Sequence, residues 1–192
     1  MQQLLDIDRG CVDTIVAGAQ RLEQRGVRFI TTNCGMYASF QREIADRLNV
    51  PFLSSALPMV PLLKSFLGAS KAVGIITGHA GLLNNDHLRV SGYRLEDVVV
   101  KGMEEYPEFS RVVLNGATDL DVKKFRKDVV NAASALNNSS ADIGLVVLEC
   151  PNLIPFRADM QAVLQVPVFD IVSLANFFAQ GYRRTVFSSP FI

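Results

Sequence analysis

Two cysteines carry the first chemistry that this sequence suggests. Cys34 sits at the end of Ile30-Thr31-Thr32-Asn33-Cys34-Gly35, and Cys150 at the end of Val146-Val147-Leu148-Glu149-Cys150-Pro151. In each, a stretch that predicts a buried strand stops at the thiol, and a helical pattern starts just after it. The match continues downstream. Val50-Pro51 and Val166-Pro167 follow their cysteines at equal distance, and Phe40 pairs with Phe156, all at an offset of 116 residues (34 to 150, 40 to 156). A strand–Cys–helix–Val-Pro–strand unit used twice predicts duplicated half-domains, each presenting one thiol.

In open parallel α/β sheets, ligands bind at the carboxyl ends of strands, where these thiols are expected. A thiol at a helix N-terminus gains from free N–H groups and the helix dipole, so both are expected below the ~8.5 of a free cysteine. Pro151 suits a first helical position. One cysteine ending a strand is more often core than catalytic; two in matched register shift the reading to function. Cys11, in the first turn of a helix, is read as structural. Asn33 and Asn152 flank the thiols as amide donors for a substrate carboxylate. Thr77 and His79 lie in a strand-to-loop turn that faces the same cleft. Glu149 alternates to the opposite side of the strand from Cys150, which predicts a structural role. Were it to approach the thiol, its charge would raise that thiol's pKa.

The elements that must position these groups follow in order. A helix is predicted over 9–25, stopped by Gly26, then a strand over 27–32 and a helix from about Met36 to Leu48. Pro51-Phe52-Leu53 is a strand and 58–67 a helix, and 68–70 is a hinge. A strand over 71–76 leads to Thr77-Gly78-His79-Ala80-Gly81, followed by a helix over 82–91 and a strand at 98–100. A short helix or loop covers 107–116, and Asp119 is expected to cap a helix running to about Leu136. The second cysteine strand (143–148), a helix to about Leu164, a strand at 166–169 and a helix over 171–182 complete the order, with no pattern in 183–192. Alternating strands and helices with short connections predict an α/β protein of two pseudo-symmetric, three-layer lobes with parallel sheets and a cleft between them. The expected division is 1–68 plus 166–192 for the first lobe and 69–165 for the second.

Composition bounds the function. In 192 residues, 19 Lys+Arg balance 19 Asp+Glu, so no global field argues for nucleic acid or an anionic membrane. No apolar run reaches the ~18 residues of a membrane helix. Met1–Gly10 lacks the pattern of a secretory signal, and three cysteines form no disulfide framework, so a reducing cytoplasm is the expected compartment. Two histidines and no CxxC spacing make a structural zinc site unexpected. Neither GxGxxG nor GxxxxGK[ST] occurs. The thiols themselves must then be the reagents, with no metal and no cofactor expected.

At these residues the chain resembles the aspartate/glutamate racemase superfamily. The branch with the most similar motifs reads Ile-Thr-Thr-x-Cys-Gly and then Leu-Glu-Cys-Thr-Asn. The resemblance spans nearly the whole chain, including Gly102-Met103-Glu104 and Pro107-Glu108-Phe109. It implies two lobes with the active site between them and one cysteine on each face of a small carboxylate. One thiolate removes the Cα proton and the opposite thiol returns one, without a cofactor. Cys34 and Cys150 match the paired catalytic positions; Thr32 and Asn33, with Asn152, match the neighbouring substrate-contact segment. Asn33, Asn152 and Thr77 would stabilise the enolate-like charge. Two departures stand out. Pro151 replaces the usual threonine, and the chain opens on a helix where the family begins with a strand. The leading expectation is a racemase or epimerase (an isomerase) of a small amino acid or related carboxylate. A decarboxylase or cis–trans isomerase using one cysteine is the alternative, as is a silent small-acid-binding protein. Homo-oligomerisation stays open.

Overall fold

Residues 72–77 and 143–148 have no polar face to offer water, so each must be covered on both sides. The computed structural model, which describes residues 9–89 and 92–184, places them at the centre of a parallel sheet. The described strands are β1 (Ile30–Thr31), β2 (Phe52–Leu53), β3 (Ala72–Thr77), β4 (Val98–Gly102), β5 (Ile143–Leu148) and β6 (Val168–Phe169). β1 and β2 form one parallel pair; the others form a parallel sheet in the order β4-β3-β5-β6. The expected α/β class with parallel sheets is what the chain adopts. The described α-helices are α1 (Arg9–Gln24), α2 (Gln41–Ala45), α3 (Val60–Ser65), α4 (Asn85–Arg89), α5 (Pro107–Phe109), α6 (Val122–Asn137), α7 (Arg157–Leu164) and α8 (Ile171–Gly181). No described helix is long and apolar enough to cross a membrane.

Burial follows the pleat. Ile76, Val146 and Leu148 face one way and pack with Phe125, Val129 and Ala132 of α6 and Met160 of α7. Val73, Ile75, Leu145 and Val147 face the other way, against Leu63 of α3, Ile171 and Leu174 of α8, Leu53 of β2, and Met36 of the 3-10 segment that follows β1. A third cluster joins Val12, Val16 and Ala19 of α1 to Ile30, Ile44 and Phe52. The i, i+4, i+7 spacing of the α1 residues made that face legible from the sequence.

The duplication seen in the sequence is a structural one. β1 pairs with β2 through Ile30↔Phe52 and Thr31↔Leu53, and β5 pairs with β6 through Val146↔Val168 and Val147↔Phe169. Each pair is in the register that an offset of 116 requires. The Ile30 N–H donates to the Pro51 carbonyl and the Val146 N–H to the Pro167 carbonyl, both at 2.9 Å.

Several expected boundaries shift. The helix expected from Met36 begins as a 3-10 helix over Gly35–Phe40, and only Gln41–Ala45 is α-helical. The Cys150 half does the same, with 3-10 geometry over Pro151–Phe156 before α7. Pro155 lies inside that segment; a proline there has no N–H to give an α-helical bond. Asp121 caps α6 in place of Asp119, accepting the Lys123 and Lys124 N–H groups, while Asp119 is bound by Arg111. β6 hydrogen-bonds to β5, whereas the expected lobe boundary at 166 grouped it with the first sheet. Of the helix expected over 82–91, residues 80–82 form a 3-10 turn and 85–89 form α4. Residues 90–91, 1–8 and the end of the tail lie outside the described residues.

Candidate active site

From β3 the chain crosses to β4 on one side, and from β5 it crosses to β6 on the other. The connections leaving the two central strands therefore diverge at their carboxyl ends, which makes a crevice at this point of the sheet. The ends of β3 and β5, together with the end of β1, bound a cavity of about 240 Å³. Asn33, Cys34 and Met36 reach it from β1, Thr77, Gly78, His79 and Leu82 from β3, and Glu149, Cys150, Pro151 and Asn152 from β5. Val113 and Leu114 close it from a π-helical turn over Ser110–Leu114. The volume is below the roughly 300–1,000 Å³ of pockets that take drug-sized ligands, so it has room only for a smaller molecule.

Each thiol is held the same way. Cys34 and Cys150 are the N-cap residues of the two 3-10 helices, both with extended backbones (φ −127°, ψ 122° and φ −82°, ψ 123°). Cys34 is half-buried and Cys150 buried. The Asn152 side-chain amide lies 3.7 Å from the Cys150 sulfur. The expectation of lowered thiol pKa values is overturned. Burial pushes the Cys34 thiol up, against a lowering contact from the Met36 N–H, and the charge of Glu149 pushes it further. Cys150 is pushed up to about 12, first by burial and then by Glu149. Six-residue 3-10 helices offer weak N-terminal fields, and desolvation of the thiolate outweighs them.

Glu149 is the second correction. It was expected on the far side of the strand, but β5 ends at Leu148 and the alternation ends with it. Its carboxylate turns into the cavity, 7% exposed. Thr77 donates its hydroxyl to Oε2 at 2.7 Å, the Gly78 N–H donates to the same oxygen at 3.4 Å, and the Gly35 N–H also donates to the carboxylate. Burial raises the Glu149 pKa against these three donors. A Cβ on Gly35 would stand 1.9 Å from Oε1, so glycine is what lets the carboxylate reach that backbone. Glu149 thus ties the Cys34 loop to the end of β3.

The remaining candidates divide. Asn33, His79 and Asn152 line the cavity. His79 accepts the Gly81 N–H on Nδ1 at 3.1 Å, which in the neutral ring leaves the proton on Nε2. Thr77 is fully buried with its hydroxyl proton given to Glu149, so it supports that carboxylate. Thr32 is not brought to the thiols: its hydroxyl donates to the Ser54 carbonyl, and it lines a separate groove beside α8. Glu104 accepts the Ala80 N–H at 3.1 Å and so fastens the loop that carries His79. Among the described residues, no group of three or more His, Cys, Asp or Glu is placed to hold a metal ion. Among the described residues, no Lys or Arg lines the cavity.

Solved structures with this arrangement decide the fold. An aspartate racemase homologue from Pyrococcus horikoshii OT3 superposes with a TM-score of 0.60 at 19% identity, over 91% of this chain and 76% of that one. The fold is that of the aspartate/glutamate racemases. A glutamate racemase from Bacillus anthracis matches this racemase fold with a TM-score of 0.58 at 16% identity, covering 92% of this chain and 68% of that one. The allantoin racemase of Klebsiella pneumoniae shares it with a TM-score of 0.56 at 16% identity, over 95% and 75%. By sequence, the racemase-fold chain is similar to proteins of another name. A dimethylsulfoniopropionate lyase from Durusdinium sp. clade D is 28% identical over 165 residues, 83% of this chain and 54% of the relative. Dimethylsulfoniopropionate lyase 7 of Emiliania huxleyi (strain CCMP1516) is 26% identical over 176 residues, 82% and 48%. The chain spans about half the length of these curated relatives. No family model matches the sequence.

Proposed function

We propose that this protein is an enzyme that removes the proton next to the carboxylate of a small substrate, with Cys34 as the base and no cofactor. One observation carries the reading: thiols from repeat-equivalent strand ends line a single small cavity. General acid–base catalysis needs such groups within reach of one carbon. The side-chain amides of Asn33 and Asn152 are the donors for the enolate-like charge that develops. Cys34 is the more accessible thiol and the less perturbed, which suits the base; Cys150 stays protonated opposite it.

Elimination is the outcome best supported. The curated relatives are named as lyases of a sulfonium carboxylate, and among the described residues the cavity offers an acid and no Lys or Arg. In that reaction the Cys34 thiolate takes the Cα proton of dimethylsulfoniopropionate, and the C–H electron pair becomes the Cα–Cβ double bond. The Cβ–S bond breaks with its pair staying on sulfur. Neutral dimethyl sulfide and acrylate leave, and the thiol returns its proton to solvent. A second reading, racemisation or epimerisation, has the racemase fold and the matched second thiol in its favour. There Cys150 returns a proton to the opposite face. A dicarboxylate such as aspartate would bring a further negative charge towards Glu149, so a monocarboxylate is the better fit.

The protein is to be incubated in heavy water with dimethylsulfoniopropionate and, separately, with single enantiomers of small amino acids, followed by NMR and headspace gas chromatography. Dimethyl sulfide with acrylate in equal amount supports elimination. Deuterium at Cα with loss of optical activity selects the second reading. No α-exchange and no product from any of them overturns both.

A further inference from the structure

Glu149 stands out because its charge has no counterpart. It is 7% exposed, and every partner it has among the described residues is neutral: the Thr77 hydroxyl and the Gly78 and Gly35 N–H groups. Two of the other well-buried carboxylates have a cation beside them. Asp170 accepts from the Arg157 guanidinium at 3.0 Å, and Glu108 is bound by Arg111 at 2.7 Å. Asp128 is held by two backbone N–H groups but does not line this cavity. A carboxylate buried beside neutral donors alone is costly to ionise. Its two oxygens offer about four lone-pair positions, and three donors use three of them. The remaining side turns to a cavity whose other walls include Met36, Leu82, Val113 and Leu114.

We propose that Glu149 is the substrate-selecting residue of this cavity, which it makes a site for a zwitterion carrying an onium group. The proposal rests on the cavity being the substrate site, as above. The onium centre lies against the Glu149 carboxylate and supplies the missing positive charge. Its alkyl groups pack on Met36, Leu82, Val113 and Leu114, which no hydrated ammonium would favour. The substrate carboxylate points away, to the amides of Asn33 and Asn152. The shared chemistry is an alkylated cation and a carboxylate about three bonds apart, with either sulfur or nitrogen at the centre. The same charge serves the reaction: a cation beside Glu149 cancels the field that opposes thiolate formation at Cys34.

Calorimetric titration tests this with ligands that differ in charge alone. 3-(Trimethylammonio)propionate is compared with its neutral isostere 4,4-dimethylpentanoate, and dimethylsulfoniopropionate with 4-methylpentanoate, the sulfonium being titrated into Cys34→Ala to prevent turnover. The wild-type protein is expected to bind the trimethylammonio compound at least tenfold more tightly than its isostere. Glu149→Gln, which keeps the acceptor oxygen and loses the charge, is expected to bring that ratio within threefold. A wild-type ratio near one overturns the proposal, as does a ratio that survives in Glu149→Gln. If Glu149→Gln does not fold, judged by circular dichroism, the wild-type ratio alone decides. Tighter sulfonium than ammonium binding, each relative to its isostere, identifies the sulfur source. Turnover of dimethylsulfoniopropionate with an unchanged ratio sinks the role of Glu149 and leaves the elimination reading intact. No binding and no turnover of any ligand sinks both.

Discussion

The two thiols rest in their protonated form, and the neighbour that helps keep them so is an acid next to one of them in the chain. Burial is the first cause at both sites, and Glu149 adds to it at both. Replacing Glu149 with Gln removes the negative field and leaves the burial. The Cys34 pKa therefore falls in that variant, and the thiolate fraction at a given pH rises. Alkylation of Cys34 by iodoacetamide at pH 8 is expected to speed up about two- to fivefold in Glu149→Gln. An unchanged or slower rate would remove Glu149 from the electrostatics of the site. Spacing in the sequence was enough to single out Cys34 and Cys150, because a matched register is visible without coordinates. It was not enough for Glu149. Pleat alternation holds only inside a strand, and β5 ends one residue earlier, at Leu148. The raised thiol pKa values were not legible either, because sequence shows a helix start but not how dry it is.

At the scale of elements, the site is made twice and then joined. Each half pairs its cysteine strand with the strand that follows Val-Pro, in the same register, and starts its helix with a 3-10 segment. The strands, their order and the repeat were legible because β-branched runs and Val-Pro punctuation recur. The 3-10 starts were not, since periodicity over six residues does not separate 3.0 from 3.6 residues per turn. The join is Glu149, whose carboxylate passes over Gly35 to reach its N–H. A methyl at Gly35 would stand 1.9 Å from Oε1 and 2.3 Å from Cγ of Glu149. Gly35→Ala is therefore expected to cost about 1–3 kcal/mol in denaturant unfolding, as overpacking does. In a Glu149→Ala background the obstructing atoms are gone, and the same substitution is expected to cost less than half as much. Equal costs in both backgrounds would show that the close approach is not what requires glycine.

At the scale of the whole molecule, neither sheet owns the site. Cys34 hangs from a two-stranded pair and Cys150 from a four-stranded sheet, and the cavity forms only where their carboxyl ends meet. The parallel α/β class followed from strands alternating with helices. The membership of β6 did not, because pairing partners depend on which neighbour the folded chain brings alongside. The switch between β3 and β5 then places Thr77, Gly78 and Glu149 against the thiol pair. The most direct measurement is the rate of removal of the substrate's Cα proton, followed by NMR in heavy water as acrylate formation from dimethylsulfoniopropionate or as deuterium uptake by an amino acid, in the wild-type protein and in Cys34→Ala and Cys150→Ala. Removal is expected in the wild type, with a loss of at least about a hundredfold, the scale of a removed general base, in Cys34→Ala. Undiminished removal in Cys34→Ala would contradict the role of Cys34 as the base.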